Sequence, residues 1–564
     1  MAYIVFLALL TAAGTLEAAP KLRLSSATVG PVSIAQGTNG ILQTVEASNA
    51  GDGNLSLQLA SSVSWITAAI GGSRPCFDRP GACLPISINL QTSALARGMY
   101  TGRVTVSDSN ALDAPQSITV TVQIGGGVPE QANLFVAPNG SSDEVRFLTN
   151  SQLSSSATTQ SGGPWLSIGL DGSGSFRFVM PYRISARHLE GMAEGTYTGS
   201  VTVSGSPVAG ENRTVPISLQ VTSRPILRAA PAELSFRVAQ GVSPQQSFVG
   251  LSNRGMGTLG VFGISASTSS GGGWLRAEVN PAGNLVAISV DTGSTGPGLY
   301  RGAVTVNSNA ANGSVSIPVA LEVVAQGPPL AAFGGVLNTG SFDNGLAQGG
   351  TAAVFGEQLS FQPAAQGAEI PLVRELNGVR VLVNDQPAPL YFTSYNQVNF
   401  QIPFETPAGE AIIRVERQGQ RGNPVAVEIA SRAPRIIQAG DSGVIVNPDG
   451  SLAIRGGRAA RPGEALTIYC VGFGATGPAT ATGAGAPAAE PLARITPAPR
   501  VILGSAFTGA IALEPLYAGL TPSLVGLYQV NVILPSDTPL GDVPLFVEGD
   551  GYRSNTVILP VSPE

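Results

Sequence analysis

Reactive side chains are scarce in this 564-residue sequence. It has one histidine, His188, one lysine, Lys21, and three cysteines, and only 12% of its residues are charged. One histidine excludes zinc and iron sites built from several imidazoles, and leaves room for a single His-dependent triad. One lysine excludes a phosphate-binding loop ending in Gly-Lys-Ser/Thr. With 30 basic and 36 acidic residues the net charge is −6, so the chain has no basic field to hold nucleic acid. Glycine and proline are abundant, at 71 and 42 residues, but a hydrophobic fraction of 43% argues against disorder and for sizeable cores.

Residues 3–13, YIVFLALLTAA, form an apolar run followed by small residues, with a cleavage point expected near Ala18 or Ala19. The run is too short to span a bilayer as a helix and reads as a secretory signal over 1–19, although no Lys or Arg precedes it. The alternative is a buried first strand. No later segment reaches 18 uninterrupted apolar residues, so no membrane insertion is expected after cleavage. Cys76 and Cys83 bracket Phe-Asp-Arg-Pro-Gly-Ala, a turn-forming loop, and in an oxidising compartment they are expected to form a disulfide. Cys470, in the apolar run LTIYCVGFG, reads as a buried inert thiol.

Self-comparison reveals one pattern three times. Trp65-Ile66 precedes Gly98-Met99-Tyr100-Thr101-Gly102-Arg103-Val104-Thr105-Val106. Trp165-Leu166 precedes Gly195-Thr196-Tyr197-Thr198-Gly199-Ser200-Val201-Thr202-Val203. Trp274-Leu275 precedes Gly298-Leu299-Tyr300-Arg301-Gly302-Ala303-Val304-Thr305-Val306. The roughly hundred-residue period suits one sandwich domain per copy. Period-2 alternation places Tyr100, Gly102, Val104 and Val106 on one face of a strand, and the next strand alternates likewise through Ile118, Val120, Val122 and Ile124. Pro216 and Pro318 fall on outward positions of the corresponding strands in copies two and three. Proline cannot donate to a ladder, so these strands are expected at sheet edges.

Each copy opens with an apolar strand, and the first and third continue to a Ser-Asn-x-Gly turn. With the Trp-Leu/Ile and Gly-x-Tyr-x-Gly-x-Val-x-Val signatures, residues 20–325 resemble the BACON-like family of bacterial Ig-like sandwich domains. The resemblance implies the sandwich fold and, through the family's name, carbohydrate binding. Trp65, Trp165 and Trp274 are then the candidate sugar platforms, against the alternative that each fills its sandwich core. Tyr100, Tyr197 and Tyr300 read as corner tyrosines tied by a hydroxyl bond to backbone.

The stretch AQGPPLAAFGG after Val324 reads as a linker. A second duplication follows. GGTAAVFGEQLS (349–360) and QVNFQIP (397–403) in one half match PGEALTIYCVGFG (462–474) and QVNVILP (529–535) in the other. Residues 338–561 resemble an uncharacterised C-terminal domain family of secreted soil-bacterial proteins. The resemblance rests on Asn338-x-x-Ser341-Phe342, Val354-Phe355-Gly356, Leu376-Asn377-Gly378-Val379, the Gln-Val-Asn strands and Tyr517-Ala518-Gly519-Leu520. Gln397, Asn399 and Gln401 share one strand face, as a polar strip for ligand hydroxyls or as amides that fix neighbouring turns and join the two halves.

His188 lies in the polar segment RISARHLEGM, and no residue is expected to be catalytic. Asp52, Asp171, Asp449 and Asp550 each precede Gly, which is turn chemistry. The cluster Asn49-Ala50-Gly51-Asp52-Gly53-Asn54 lacks the ligand spacing of a helix–loop–helix calcium site. No metal and no cofactor are expected. The sequence therefore predicts an all-β chain of tandem Ig-like β-sandwich domains. The boundaries are 1–19 signal peptide, 20–127, 128–224 and 225–326 BACON-like sandwiches, and 327–433 and 434–564 C-terminal sandwich units. The expected function is that of an exported, extracellular or cell-surface spacer and adhesion scaffold. Its alternatives are a carbohydrate-binding protein and, last, a hydrolase. The expected partners are extracellular polysaccharide or a cell-surface protein.

Overall fold

The computed structural model describes residues 19–172, 179–242, 245–293, 295–505 and 509–563. The signal-peptide reading lies outside them except at Ala19. The described residues are all-β: their one helical element is the 3-10 turn Ala209–Glu211, and among them no helix is long and apolar enough to cross a membrane. Two compact units result, Met1–Val32 with Gly37–Ile124, and Ser33–Gln36 with Gly125–Glu564.

The first unit holds one two-sheet sandwich. One sheet runs Leu22–Leu24, Gln43–Asn49, Ala82–Leu90, Ile66–Ile70; the other runs Thr28–Ile34, Gln116–Ile124, Gly98–Ser107, Gln58–Ser61. Strict alternation explains the core. In Gln116–Ile124 every second side chain is buried, and Ile118, Val120 and Val122 are shut from solvent.

The second unit begins with two further sandwiches of the same plan. In the third sandwich Leu227–Ala230 pairs with Gln245–Asn253 in one sheet. The chain then crosses, and Leu234–Ala239 runs parallel to Val315–Val324 in the other. The second sandwich keeps only the crossing half: Ala132–Val136 runs parallel to Arg213–Val221, and the opposite sheet has three strands.

The edge position expected for the two proline-bearing strands is overturned. Arg213–Val221 lies between Ala132–Val136 and Gly195–Ser204, and Val315–Val324 lies between Leu234–Ala239 and Gly298–Ser308. Proline is tolerated because the parallel partner starts one residue later: its first registers are at Ile217 and Val319, so Pro216 and Pro318 stand just outside that ladder. The linker reading also needs correction. Leu330–Asn338 is a strand, paired with Thr351–Glu357 and bulged between Ala331 and Val336, so the connection shrinks to residues 325–329. Local Gly/Ala/Pro composition could not reveal a partner strand some twenty residues away.

The C-terminal part forms two more sandwiches, the fourth and fifth. In the fourth, a sheet centred on Thr351–Glu357 and Gln397–Gln401 packs on one centred on Gly409–Arg417. In the fifth, Ala465–Val471 and Tyr528–Ile533 face Gly541–Gly549 and Arg500–Ser505. Their duplication is visible bond by bond. Val354 pairs with Val398 as Ile468 pairs with Val530, and Val336 pairs with Val354 as Ile445 pairs with Ile468. This register equates Asn338 with Asn447 and Phe355 with Tyr469.

Candidate functional site

Each signature of the threefold repeat builds a core. Trp65, Trp165 and Trp274 are only 8%, 1% and 2% exposed. A Cβ added at Gly102, Gly199 or Gly302 would lie 3.2–3.3 Å from the corresponding indole and closer still to the neighbouring Ile66, Leu166 or Leu275. The second glycine of Gly-x-Tyr-x-Gly is thus a seat for the tryptophan. The indole nitrogens of Trp165 and Trp274 donate to the carbonyls of Ser161 (2.8 Å) and Ser270 (2.9 Å). Rings covered in this way offer no face to a sugar, and the platform assignment for these three residues is withdrawn. Tyr197 and Tyr300 donate to the carbonyls four residues back, Ala193 and Gly296, each at 2.9 Å.

The cluster at Asn49 is a turn staple. Its Oδ1 accepts from the backbone N–H of Lys21 and Gly51, and its Nδ2 donates to the carbonyl of Gly53 (2.8 Å). Asn253 repeats this in the third sandwich, accepting from Ile226 and Gly255 and donating to Gly257. Both amides are engaged by backbone, which explains the Ser-Asn-x-Gly turn.

The disulfide Cys76–Cys83 is formed, closing a hairpin in which Arg74 faces Cys83 and Pro75 faces Ala82. Among the described residues, Glu46 with these two cysteines is the one cluster of three potential metal ligands within reach of one another. Both sulfurs are committed to the disulfide. The Glu46 carboxylate accepts from Arg74 Nη2 (3.2 Å) and the Phe77 N–H (2.9 Å), so it clamps the hairpin to the strand Gln43–Asn49. Cys470 is fully buried, and burial pushes its thiol well above the ordinary range.

His188 is spent on structure as well. Nε2 lies 3.1 Å from the Met192 carbonyl, and Nδ1 accepts from the Gly140 N–H at 3.3 Å. Both ring nitrogens are thus engaged by backbone. Asp171, one of the Asp-Gly turns, pairs with Arg146 (3.1 Å) and Arg183 (3.6 Å). An open groove of about 510 Å³ is lined by Leu227, Arg228, Ala230, Asn312, Val315 and Ser316. Its one charged group, Arg228, reaches Asp143 at 3.5 Å, and the lining supplies no general base to activate the Ser316 hydroxyl.

The most elaborate side-chain constellations lie where sandwiches join. Tyr395, from the fourth, is 4% exposed and packs into the core of the third, where its hydroxyl accepts from the Ala239 N–H at 2.8 Å. Burial raises its pKa to about 12, despite the opposing bond from Ala239. Arg417 donates to the Gly327 carbonyl (2.8 Å) and to that of Gln358, while its guanidinium lies 3.6 Å over the Phe361 ring. Gly327 N–H donates to Gln358 Oε1 (2.8 Å), and Arg237 pairs with Glu322 (3.1 Å) and with Glu357.

Between the fourth and fifth sandwiches, Gln401 donates to the Gly349 carbonyl (3.1 Å) and accepts from the Gly483 N–H (2.7 Å). Tyr391 donates to the Val525 carbonyl at 2.8 Å. Arg435 Nε reaches both Asp343 oxygens at 3.0 and 2.7 Å. Burial works against the Asp343 charge, but Arg435, the Gly345 N–H and Ser341 outweigh it and hold its carboxyl below the usual range. Asn338 organises this corner, accepting from Gly340 and Ser341 and donating to Asp343. Of the Gln-Val-Asn strip, then, Gln401 joins the two halves, while Gln397 donates along its own strand to Asn399 (2.8 Å), as Gln529 does to Asn531 (3.5 Å). Sequence reading found the strip. It missed Tyr395 and Arg417, whose partners lie far off in the sequence.

No family model and no curated protein matches this chain. Among solved structures, an endo-fucoidan hydrolase from glycoside hydrolase family 107 aligns at 12% identity over 55% of this chain and 45% of that one, with a TM-score of 0.20. The chain thus spans less than half of that enzyme's length. The N-terminal eight Ig domains of Down Syndrome Cell Adhesion Molecule align at 12% identity over 97% of this chain and 60% of theirs (TM-score 0.14). The Protocadherin GammaB4 extracellular domain aligns at 13% over 97% and 84% (TM-score 0.15). The chain is, in fold, a tandem array of Ig-like sandwiches.

Proposed function

We propose that this chain is an exported, non-catalytic scaffold of the cell surface or extracellular matrix. In this reading three BACON-like sandwiches act as a spacer or adhesive stalk, and the fourth and fifth form a docking or capping module. One observation carries it: the groups scarce enough to suggest chemistry are engaged in holding turns and cores, as His188, the three tryptophans and the Cys76–Cys83 pair show. The disulfide fits an oxidising compartment outside the cytoplasm. The test is a turnover assay of the purified chain against polysaccharide, peptide and ester substrates, where sustained hydrolysis would refute the reading.

A second reading, carbohydrate binding, loses its tryptophan platforms to burial. What favours it instead is the outer sheet face of the second sandwich, where Thr158 and Ser200 (2.9 Å) and Thr202 and Thr214 (3.0 Å) pair side by side. A polysaccharide pull-down with Thr202→Glu as control separates the two readings.

A further inference from the structure

The outer face of the fourth sandwich carries a constellation that its core does not use. In the strand Gln397–Gln401, Val398 and Phe400 are shut in the core, so Gln397 and Asn399 lie on the other side of the sheet. Their neighbours across the strands are rings. Phe355 pairs with Gln397 on one side, and Phe392 pairs with Asn399 on the other. These four residues are half-buried. A third ring, Phe342, is 54% exposed and leans on Phe355, with centroids 6.1 Å apart and planes tilted by 56°. Its backbone is left-handed (φ 54°), a conformation that a bulky residue rarely adopts, and the Asn338 turn holds it there.

Gln397 Nε2 donates to Asn399 Oδ1 at 2.8 Å. That bond uses half of each amide. Gln397 Oε1 is left as an acceptor and Asn399 Nδ2 as a donor, without a partner among the described residues. Glu357 and Asp343, which flank the rings in sequence, are neutralised by Arg237 and Arg435. The strip is therefore uncharged. A sugar ring has an apolar C–H face and a rim of hydroxyls that both donate and accept, and rings set on either side of one free donor and one free acceptor match both features.

The fifth sandwich repeats the arrangement in closed form. Tyr469 pairs with Gln529, and Tyr517 pairs with Asn531. There Tyr517 is buried, with the Arg494 guanidinium 5.0 Å over its ring. Four residues after Asn447, as Phe342 follows Asn338, stands Ser451. The open copy is the fourth sandwich alone.

We propose that this outer face of the fourth sandwich binds a neutral polysaccharide. Its sugar rings lie against Phe342, Phe355 and Phe392, and its hydroxyls bond Gln397 Oε1 and Asn399 Nδ2. This site rests on the carbohydrate-binding reading and places it in the fourth sandwich rather than the second.

Native affinity electrophoresis of the full chain tests this, in gels containing soluble xyloglucan, mixed-linkage β-glucan, galactomannan or, as the anionic comparison, alginate. The expected result is retardation by at least one neutral polymer and none by alginate. Phe342→Asn, which removes the ring but suits the left-handed backbone, and Asn399→Ala should each weaken it about three- to tenfold. Gln529→Ala, in the closed copy, and Thr202→Glu should leave it unchanged. None of these side chains belongs to a core, so an unchanged melting curve verifies the fold of each variant. No retardation by any neutral polymer overturns the site together with the carbohydrate reading. Retardation indifferent to Phe342→Asn or to Asn399→Ala overturns the site alone, as does retardation equally strong in alginate; its loss in Thr202→Glu would return the binding to the second sandwich.

Discussion

Replacing Tyr395 with Phe removes one oxygen and keeps the ring. In the third sandwich the Ala239 N–H, on a residue shut from solvent, then loses its acceptor. An unsatisfied buried donor costs about 1–3 kcal/mol, and each 1.4 kcal/mol is tenfold in an opening equilibrium. The change should therefore raise amide exchange at Ala239 by roughly five- to a hundredfold, with no comparable change at Val304 or Ile317 deep in the same core. Tyr395→Ala also removes the ring and should cost about 3–5 kcal/mol, separating the unfolding of the third and fourth sandwiches. Hydrogen exchange followed by mass spectrometry reads both effects. Unchanged protection of Ala239 in the Phe variant would refute the argument that this hydroxyl pins the joint. Tyr197→Phe, which removes a bond at an exposed edge, serves as the small-effect control.

Trp165→Ala should destabilise its sandwich by about 3–5 kcal/mol, and iodide should quench the native tryptophans poorly; easy quenching would contradict their burial. Replacing Cys76 and Cys83 with Ser should lower the stability of the first sandwich by about 2–3 kcal/mol, the value expected for so short a loop, read by denaturant unfolding. In alkali the sign follows from Tyr395: its folded pKa is raised, so its contribution is complete below pH 10, the ordinary tyrosine value, and is lost as pH rises through about 12. A melting temperature that did not fall between pH 9 and 12 would contradict it. In acid the folded pKa of Asp343 is depressed, so its bond to Arg435 adds stability above the ordinary carboxylate range that disappears as pH falls below it. Asp343→Asn should flatten that acid limb.

How much of this was legible in the sequence depended on the reach of each interaction. Period-2 alternation exposed the strands, because burial on one face is written locally, and the recurring Gly-x-Tyr-x-Gly exposed three domains. The role of its second glycine was hidden, since the indole that covers Gly302 comes from Trp274, on the opposite sheet. The proline strands misled for a related reason: whether a proline breaks a ladder depends on where the neighbouring strand begins, and that start is set some eighty residues away. The Gln-Val-Asn strip pointed to the joint of the fourth and fifth sandwiches, where Gln401 bonds Gly483, but the joint of the third and fourth was illegible. Nothing around Tyr395 in FTSYNQVNF announces that its hydroxyl serves the backbone of residue 239. The candidate sugar platforms failed because an aromatic beside an apolar neighbour reads alike as core or as surface until exposure is known.

The central claim, that this chain works outside the cytoplasm as a folded scaffold, is tested most directly by peptide-level mass spectrometry of its native cells. Medium, surface-shaved and cytoplasmic fractions would be alkylated before digestion. The account predicts that the chain resides in the outer fractions, with the Cys76–Cys83 peptide disulfide-bonded. A cytoplasmic chain with both thiols free would contradict it.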